Sequence, residues 1–140
     1  MMRSCQDVMT KNPATCEMQS PVVEAAQMME REGVGAIPVC ENGRLAGIVT
    51  DRDIAVRVVA SGRDPRQTRI EEVMTRDPES VKADESIDRA LEVMESRQVR
   101  RIPVIDAGGK LVGIIAQADI ATRLDEPNAT AEVVEAISRE

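Results

Sequence analysis

The chain has no phenylalanine, tyrosine, tryptophan or histidine among its 140 residues. A core without aromatics must be built from isoleucine, valine, leucine, alanine and methionine, and eight methionines supply adaptable volume for it. The lack of histidine excludes imidazole acid–base chemistry and imidazole metal ligation. The lack of aromatics excludes base-stacking platforms for single-stranded nucleic acid. Positive charge is also short. Eighteen Lys and Arg face 25 Asp and Glu, a net charge of -7, which argues against nucleic acid as a partner. No apolar run approaches transmembrane length, so no membrane partner is expected. The opening Met1-Met2-Arg3-Ser4-Cys5 has no hydrophobic region of signal-peptide type, and a cytoplasmic location is expected. Cysteine is sparse and irregularly spaced (Cys5, Cys16, Cys40), which fits neither a zinc site nor a disulfide framework. The expectation is three small buried hydrophobes, with a redox-sensing thiol as the alternative.

What is present is a duplication. Asp7-Val8-Met9-Thr10 returns as Glu72-Val73-Met74-Thr75, and Ile37-Pro38-Val39 as Ile102-Pro103-Val104, both at a spacing of 65. From Leu45 and Leu111 onward the spacing is 66. The extra residue falls between Glu41-Asn42-Gly43-Arg44 and Asp106-Ala107-Gly108-Gly109-Lys110, which read as turns, where insertions are tolerated. Gly47-Ile48-Val49-Thr50-Asp51-Arg52-Asp53-Ile54 matches Gly113-Ile114-Ile115-Ala116-Gln117-Ala118-Asp119-Ile120. Each copy reads as a buried strand running into a helix whose first turn carries a carboxylate.

Read in order, each half is β-α-β-β-α. Ser20-Pro21 is expected to start a helix, with Ser20 as the cap and an apolar stripe at Val22, Ala25, Ala26 and Met29. Gly33 stops it. Residues 35–40 and 44–50 form a hairpin about Asn42-Gly43. A second helix spans 51–59, with Ile54, Ala55, Val58 and Val59 apolar. Residues 61–69, rich in Gly, Pro and charge, read as a linker. The second half repeats the pattern, with Asp84 or Ser86 capping a helix whose stripe is Ile87, Ala90, Leu91 and Met94. Its hairpin spans 100–105 and 110–115, and its last helix 118–124. A further helix is expected over 130–138.

These motifs, in the same order twice, resemble the cystathionine β-synthase (CBS) domain family. The openings Val-Met-Thr-x-x-Pro, the Ile-Pro-Val strands and the Gly-Ile-Val-Thr-Asp-Arg-Asp-Ile and Gly-Ile-Ile-Ala-Gln-Ala-Asp-Ile segments carry the resemblance. The chain is similar to the stand-alone CBS-pair proteins of the bacterial hypoxic-response type. The resemblance implies an α+β fold of two βαββα CBS repeats packed sheet to sheet about a pseudo-twofold axis. It places repeat 1 at residues 5–60, a linker at 61–69, repeat 2 at 70–124 and a tail at 125–140. It also implies an adenosine-containing regulatory ligand (AMP, ADP, ATP, NAD or S-adenosylmethionine) in clefts between the halves, a homodimer, and an unidentified protein partner.

In the family pattern Gly-h-h-Thr/Ser-x-x-Asp, the aspartate holds the ribose hydroxyls and the Thr/Ser contacts ribose or phosphate. Those positions are Thr50 and Asp53 here, then Ala116 and Asp119. A carboxylate accepts from both hydroxyls of a cis-diol, and such charged hydrogen bonds are the stronger kind. Basic residues ahead of the Pro strand of the other half meet phosphate in the family. Arg100 and Arg101 stand there in the second half, Gly35 and Ala36 in the first. The resemblance therefore implies unequal clefts. One would hold Thr50, Asp53, Arg100 and Arg101; the other has Asp119, Ala116, Gly35 and Ala36, with no hydroxyl and no cation. Adenine is expected against main chain and aliphatic groups near Ser80, Val81 and Ile102.

Each feature has a plainer reading. Asp53 and Asp119 can be simple first-turn acids contributing about 1 kcal/mol, and Arg100-Arg101 a solvated strand end. Three functions compete: a nucleotide-sensing regulatory module, a dimerising protein with vestigial clefts, and an enzyme. With no nucleophile–base pair and no phosphate-binding Gly-Lys loop, no enzymatic activity, catalytic residue, metal or catalytic cofactor is expected.

Overall fold

The computed structural model describes residues 3–123, and side-chain surroundings through residue 120. The helix expected over 130–138 lies outside the described residues. In chain order the first elements are α1 (Cys5–Val8), β1 (Thr10–Lys11), β2 (Cys16–Glu17), α2 (Val22–Glu32), β3 (Ala36–Glu41), β4 (Arg44–Thr50) and α3 (Asp51–Ile54). A π-helical turn (Ala55–Val59) and a 3-10 turn (Ile70–Glu72) follow, then β5 (Thr75–Arg76), β6 (Val81–Lys82), α4 (Ile87–Arg97), β7 (Arg101–Ile105), β8 (Leu111–Ala116) and α5 (Gln117–Arg123).

The chain folds into two compact units, and these are not the two sequence repeats. One is Ala14–Pro78; the other joins the N-terminal segment up to Pro13 to the chain from Glu79 onward. The first unit holds the sheet β2-β3-β4-β5 and the second the sheet β1-β8-β7-β6. Each repeat thus donates its opening segment to the other repeat's sheet. Thr75 and Arg76 pair antiparallel with Ile48 and Gly47, and Thr10 and Lys11 with Ile114 and Gly113.

Glycine makes this exchange possible. A Cβ on Gly47 would stand 2.7 Å from the Thr75 carbonyl oxygen and 2.8 Å from the Met74 sulfur. A Cβ on Gly113 would meet the Met9 sulfur and lie 2.9 Å from the Thr10 carbonyl oxygen. The Val-Met-Thr openings and the glycines of the later strands are therefore two sides of one contact. Each methionine lies over the other repeat's glycine, and each threonine starts the added strand.

Both cores are aliphatic. Val22, Ala25, Met29, Ile37, Val39, Val49, Val58 and Ile70 form one, and Val81, Ile87, Ala90, Met94, Ile102, Val104, Ile115 and Ile120 the other. Burying a Val, Leu, Ile or Met side chain contributes about 1.5–3 kcal/mol, so stacking one helix face on each sheet suffices without aromatics.

Local structure departs from expectation in three places. Ser20 does not cap α2. Pro21 takes that position without a side-chain bond, and the free N–H groups of Val22 and Val23 donate to the carbonyls of Thr68 (2.8 Å) and Pro65 (3.0 Å). The stretch read as a linker therefore closes the helix N-terminus, with Thr68 buried and its hydroxyl donating to the Asp64 carbonyl at 2.8 Å. Proline has no N–H of its own to satisfy, so main-chain carbonyls from that stretch can take the capping role. The second departure is the helix after Thr50, which leaves α geometry at Ala55 and continues as a π turn. Its i→i+5 hydrogen bond, from Ala60 N–H to the Ala55 carbonyl at 2.9 Å, widens the winding, and along it Val58 is buried while Val56 and Val59 are 50% and 69% exposed. The expected stripe there is broken. The third concerns the stripes of α2 and α4. Ala26 and Leu91 are only half-buried, whereas Val93 is buried. Elsewhere the expected geometry holds. Asn42 (φ 53°) and Gly43 (φ 80°) form the hairpin turn, and Ser86 caps α4 by accepting from Asp88 N–H at 3.2 Å.

Candidate functional site

The Gly-Ile-Val-Thr-x-x-Asp segment places its carboxylate where β4 turns into α3. Thr50, the last residue of β4, is extended (φ -116°, ψ 163°), and its hydroxyl oxygen accepts from Asp53 N–H at 3.0 Å. Asp53 returns the bond: its Oδ2 accepts from Thr50 N–H at 2.9 Å. This reciprocal capping box satisfies two donors that helix geometry leaves open. It also fixes one edge of the carboxylate. The other oxygen, Oδ1, lies 3.9 Å from the Arg57 guanidinium. Asp53 is 8% exposed and, with Thr68, is one of two buried polar side chains among the described residues. A buried ionised group must be paired and hydrogen-bonded, and Asp53 is held from both edges.

The second half rebuilds the corner differently. Asp119 Oδ2 accepts from Ala116 N–H at 3.0 Å, the same backbone contact. Alanine has no hydroxyl, but Thr10, in the exchanged strand β1, donates its hydroxyl to Asp119 Oδ2 at 3.2 Å. This hydroxyl donates to the carboxylate, whereas the Thr50 hydroxyl accepts from Asp53 N–H, so Thr10 adds a contact to Asp119 without taking over the cap that position 116 lacks. Sequence reasoning missed this because Thr10 is far from Asp119 in the chain and reaches it only through the exchange.

Arg100 and Arg101 lie at the start of β7 beside this second corner. Arg101 pairs in register with Ala116, and the Arg100 carbonyl accepts from Gln117 N–H at 2.8 Å. With Ala116, Gln117 and Ala118 they line a cavity of about 290 Å³. Both arginines are exposed. In the Ala14–Pro78 unit, Ala36 pairs with Thr50 and the Gly35 carbonyl accepts from Asp51 N–H at 2.9 Å. Of the four residues expected around one ligand, Thr50 and Asp53 belong to the Ala14–Pro78 unit, and Arg100 and Arg101 to the other. Val81 and Ile102 are 1% exposed and their side chains belong to the core of that other unit; Ser80 is half-buried just before β6.

Burial makes all three thiols poor nucleophiles. Burial, then the nearby Glu85 and Asp84, pushes the Cys5 thiol up to about 11. Burial, then Glu24 and Glu17, does the same for Cys16, and burial also raises Cys40. The thiolate is the reactive form, so these cysteines behave as small apolar side chains. Among the described residues no group of three or more His, Cys, Asp or Glu lies placed to hold a metal ion, and no helix is long and apolar enough to cross a membrane.

Two four-stranded sheets, each with a carboxylate-bearing strand–helix corner and an exchanged opening strand, define a tandem-repeat α+β architecture. The chain belongs to the CBS domain family, which it matches over residues 5–60 and 70–126. It is 44% identical over 120 residues to the CBS domain-containing protein YhcV of Bacillus subtilis, covering 86% of this chain and 84% of that protein. It is 39% identical over 137 residues to hypoxic response protein 1 of Mycobacterium tuberculosis, covering 97% and 94%. A crystal structure of Hypoxic Response Protein I with two coordinated zinc ions superposes with a TM-score of 0.79 at 38% identity, over 87% of this chain and 99% of that one. The CBS domain pair of MJ0100, solved with 5′-methylthioadenosine and S-adenosylmethionine, superposes with a TM-score of 0.72 at 28% identity, over 87% and 95%.

Proposed function

We propose that this chain is a non-enzymatic regulatory module that binds an adenosine-containing ligand, with one phosphate-competent site of two. The observation that carries the reading is the buried Asp53 carboxylate, held at both edges at the corner where the family pattern places its ribose acceptor. The adenosine ligands of the MJ0100 pair support the ligand class. Thr50, Asp53, Arg100 and Arg101 are the residues proposed to recognise the phosphate-bearing ligand, with Ser80, Val81 and Ile102 offering main chain to adenine. The cleft proposed for Asp119, Ala116, Gly35 and Ala36 has no cation from Gly35-Ala36, and is expected to be empty or to take something less anionic. A ligand changes the state of such a module only through differential affinity for two conformations.

The test is a calorimetric melt of the full chain with AMP, ADP, ATP, NAD and S-adenosylmethionine. A ligand at a hundred times its Kd stabilises by about 2.7 kcal/mol, several degrees at this size. A rise for one ligand, lost in Asp53→Ala and in Arg101→Ala but kept in Asp119→Ala, is the expected result. No rise with any of the five rejects the ligand reading. A second reading, a dimerising protein whose site is vestigial, draws on the exposed Val56 and Val59 on the helix after Thr50. It requires a stable dimer by light scattering together with no rise in the melt.

A further inference from the structure

Arg57 is fixed independently of the carboxylate it faces. Its Nη1 donates to the Val73 carbonyl at 2.8 Å and to the Met74 carbonyl at 3.3 Å. Both acceptors belong to the exchanged opening of the second repeat, whose Met74 lies against Gly47. The π turn Ala55–Val59 contains Arg57, and π turns inside helices are frequent at functional sites. The guanidinium sits 3.9 Å from Asp53 Oδ1. That is too long for a hydrogen bond, so the cation acts on that oxygen by its charge. Thr50 N–H holds Oδ2 at 2.9 Å. The carboxylate is therefore clamped from one side by a main-chain donor and from the other by an anchored cation.

Resting on the adenosine-ligand reading, we propose that Arg57 is a positioning residue for diol recognition. It orients Asp53 so that the carboxylate accepts from both ribose hydroxyls, and it does so from an anchor on Val73 and Met74. A rigid carboxylate discriminates for or against a diol; a swinging one binds the same ligands with less discrimination. The consequence is specific. Loss of Arg57 weakens the preference for a ribose over a dideoxyribose, beyond any change in stability.

The experiment is titration calorimetry of the full chain with AMP and 5′-methylthioadenosine, each beside its 2′,3′-dideoxy counterpart. The wild-type chain is expected to prefer the ribose form by about tenfold or more, the least that a charge-assisted hydrogen bond contributes. Asp53→Asn should abolish the preference. Arg57→Met, which keeps the stem and removes the cation, should bring it to within about threefold of unity. Arg57→Lys should fall between wild type and Arg57→Met, because an ammonium on a shorter stem cannot serve both carbonyls and Oδ1. Where Arg57→Met does not fold, Arg57→Lys carries the comparison. An unchanged preference in the folded Arg57 variants, even with weaker binding of both forms, overturns the proposal and leaves the ligand reading standing. Where the wild-type chain binds neither probe, the same ribose–dideoxyribose comparison is made with whichever of ADP, ATP, NAD and S-adenosylmethionine raises Tm; a wild-type chain that binds none of them overturns both.

Discussion

Gly47→Ala tests the exchange of opening strands directly. The new Cβ would lie 2.7 Å from the Thr75 carbonyl oxygen, 2.8 Å from the Met74 sulfur and 3.2 Å from its Cγ. The sulfur belongs to a flexible side chain, but Met74 is 5% exposed and packed in the core, so it has little room to retreat. The carbonyl is main chain in β5, paired to β4 through Gly47↔Arg76 and Ile48↔Thr75. Moving it breaks that pairing. Overpacking of this kind costs about 1–3 kcal/mol, and a backbone clash puts the cost near the upper end. Alanine returns about 0.5–1 kcal/mol by restricting the unfolded chain. The net loss is about 1.5–2.5 kcal/mol, or roughly 5–10 °C in Tm for a chain of this size. Two controls separate clash from backbone strain. Gly33 has φ +67° but nothing within 4 Å of a Cβ, so Gly33→Ala should lose only about 1 kcal/mol. Gly108 has an ordinary φ and a nearest contact at 3.4 Å, so Gly108→Ala should be nearly neutral. Scanning calorimetry and far-ultraviolet circular dichroism read all three, since a chain without Trp or Tyr has no useful fluorescence. Met74→Ala combined with Gly47→Ala should cost less than the sum of the two singles, because the sulfur contact is then gone. A Gly47→Ala protein as stable as Gly108→Ala would show that the openings are not seated on the later strands.

Other outcomes follow from single side chains. Gln98 ends α4 in the left-handed region (φ 56°) where Gly33 ends α2; Gln98→Gly should stabilise by about 0.5–1 kcal/mol in denaturant titration, and a loss would mean that the Gln98 bond to the Glu95 carbonyl outweighs the strain. Thr50→Val removes the hydroxyl that receives Asp53 N–H and should lower stability by about 1 kcal/mol, measurable by thermal melt. The three thiols should react with a disulfide reagent at neutral pH only at the rate of unfolding; labelling of the folded chain within seconds would contradict their burial. Because the Cys5 and Cys16 thiols ionise near 11 when folded and near 9 when exposed, the unfolded state loses protons first. Their contribution to stability is therefore intact below about pH 9 and declines between about 9 and 11, which Cys5→Ala and Cys16→Ala should flatten.

The motifs that could be read from sequence are those whose cause is local. Asn42-Gly43 forms its turn because both residues tolerate positive φ, and Ser86 caps α4 because its hydroxyl reaches two residues on. The carboxylate corners were legible for the same reason: Thr50 and Asp53 satisfy each other within one helical turn. What could not be read has its cause at long range. Nothing near Gly47 in the chain says that Met74 will lie against it, although the Val-Met-Thr openings and the strand glycines recur together in both repeats. Residues 61–69 look like a linker by composition, yet their carbonyls close α2, because a helix starting after Pro21 still needs acceptors for Val22 and Val23. The π turn is likewise silent in sequence. An apolar run of Ala55, Val56, Val58 and Val59 suits an α-helix as well, and tertiary contacts of Arg57 with Val73 and Met74 accompany the wider winding. The loss of threonine at position 116 shows the two levels at work together. Read locally it predicts a corner without a capping hydroxyl; the exchanged strand brings the Thr10 hydroxyl to the Asp119 carboxylate instead. The proposed inequality in phosphate binding turns on charge: Arg100 and Arg101 stand at the repeat positions that Gly35 and Ala36 fill in the first half. A Cβ at Gly35 would lie 2.9 Å from Asp51 Oδ2, so a side chain there requires that exposed carboxylate to swing aside. Ala36 already bears a Cβ, so Ala36→Arg is the change that should make the two halves alike in phosphate binding, read as a second equivalent of AMP in titration calorimetry. A stoichiometry unchanged by Ala36→Arg would mean that cations are not what separates the two halves.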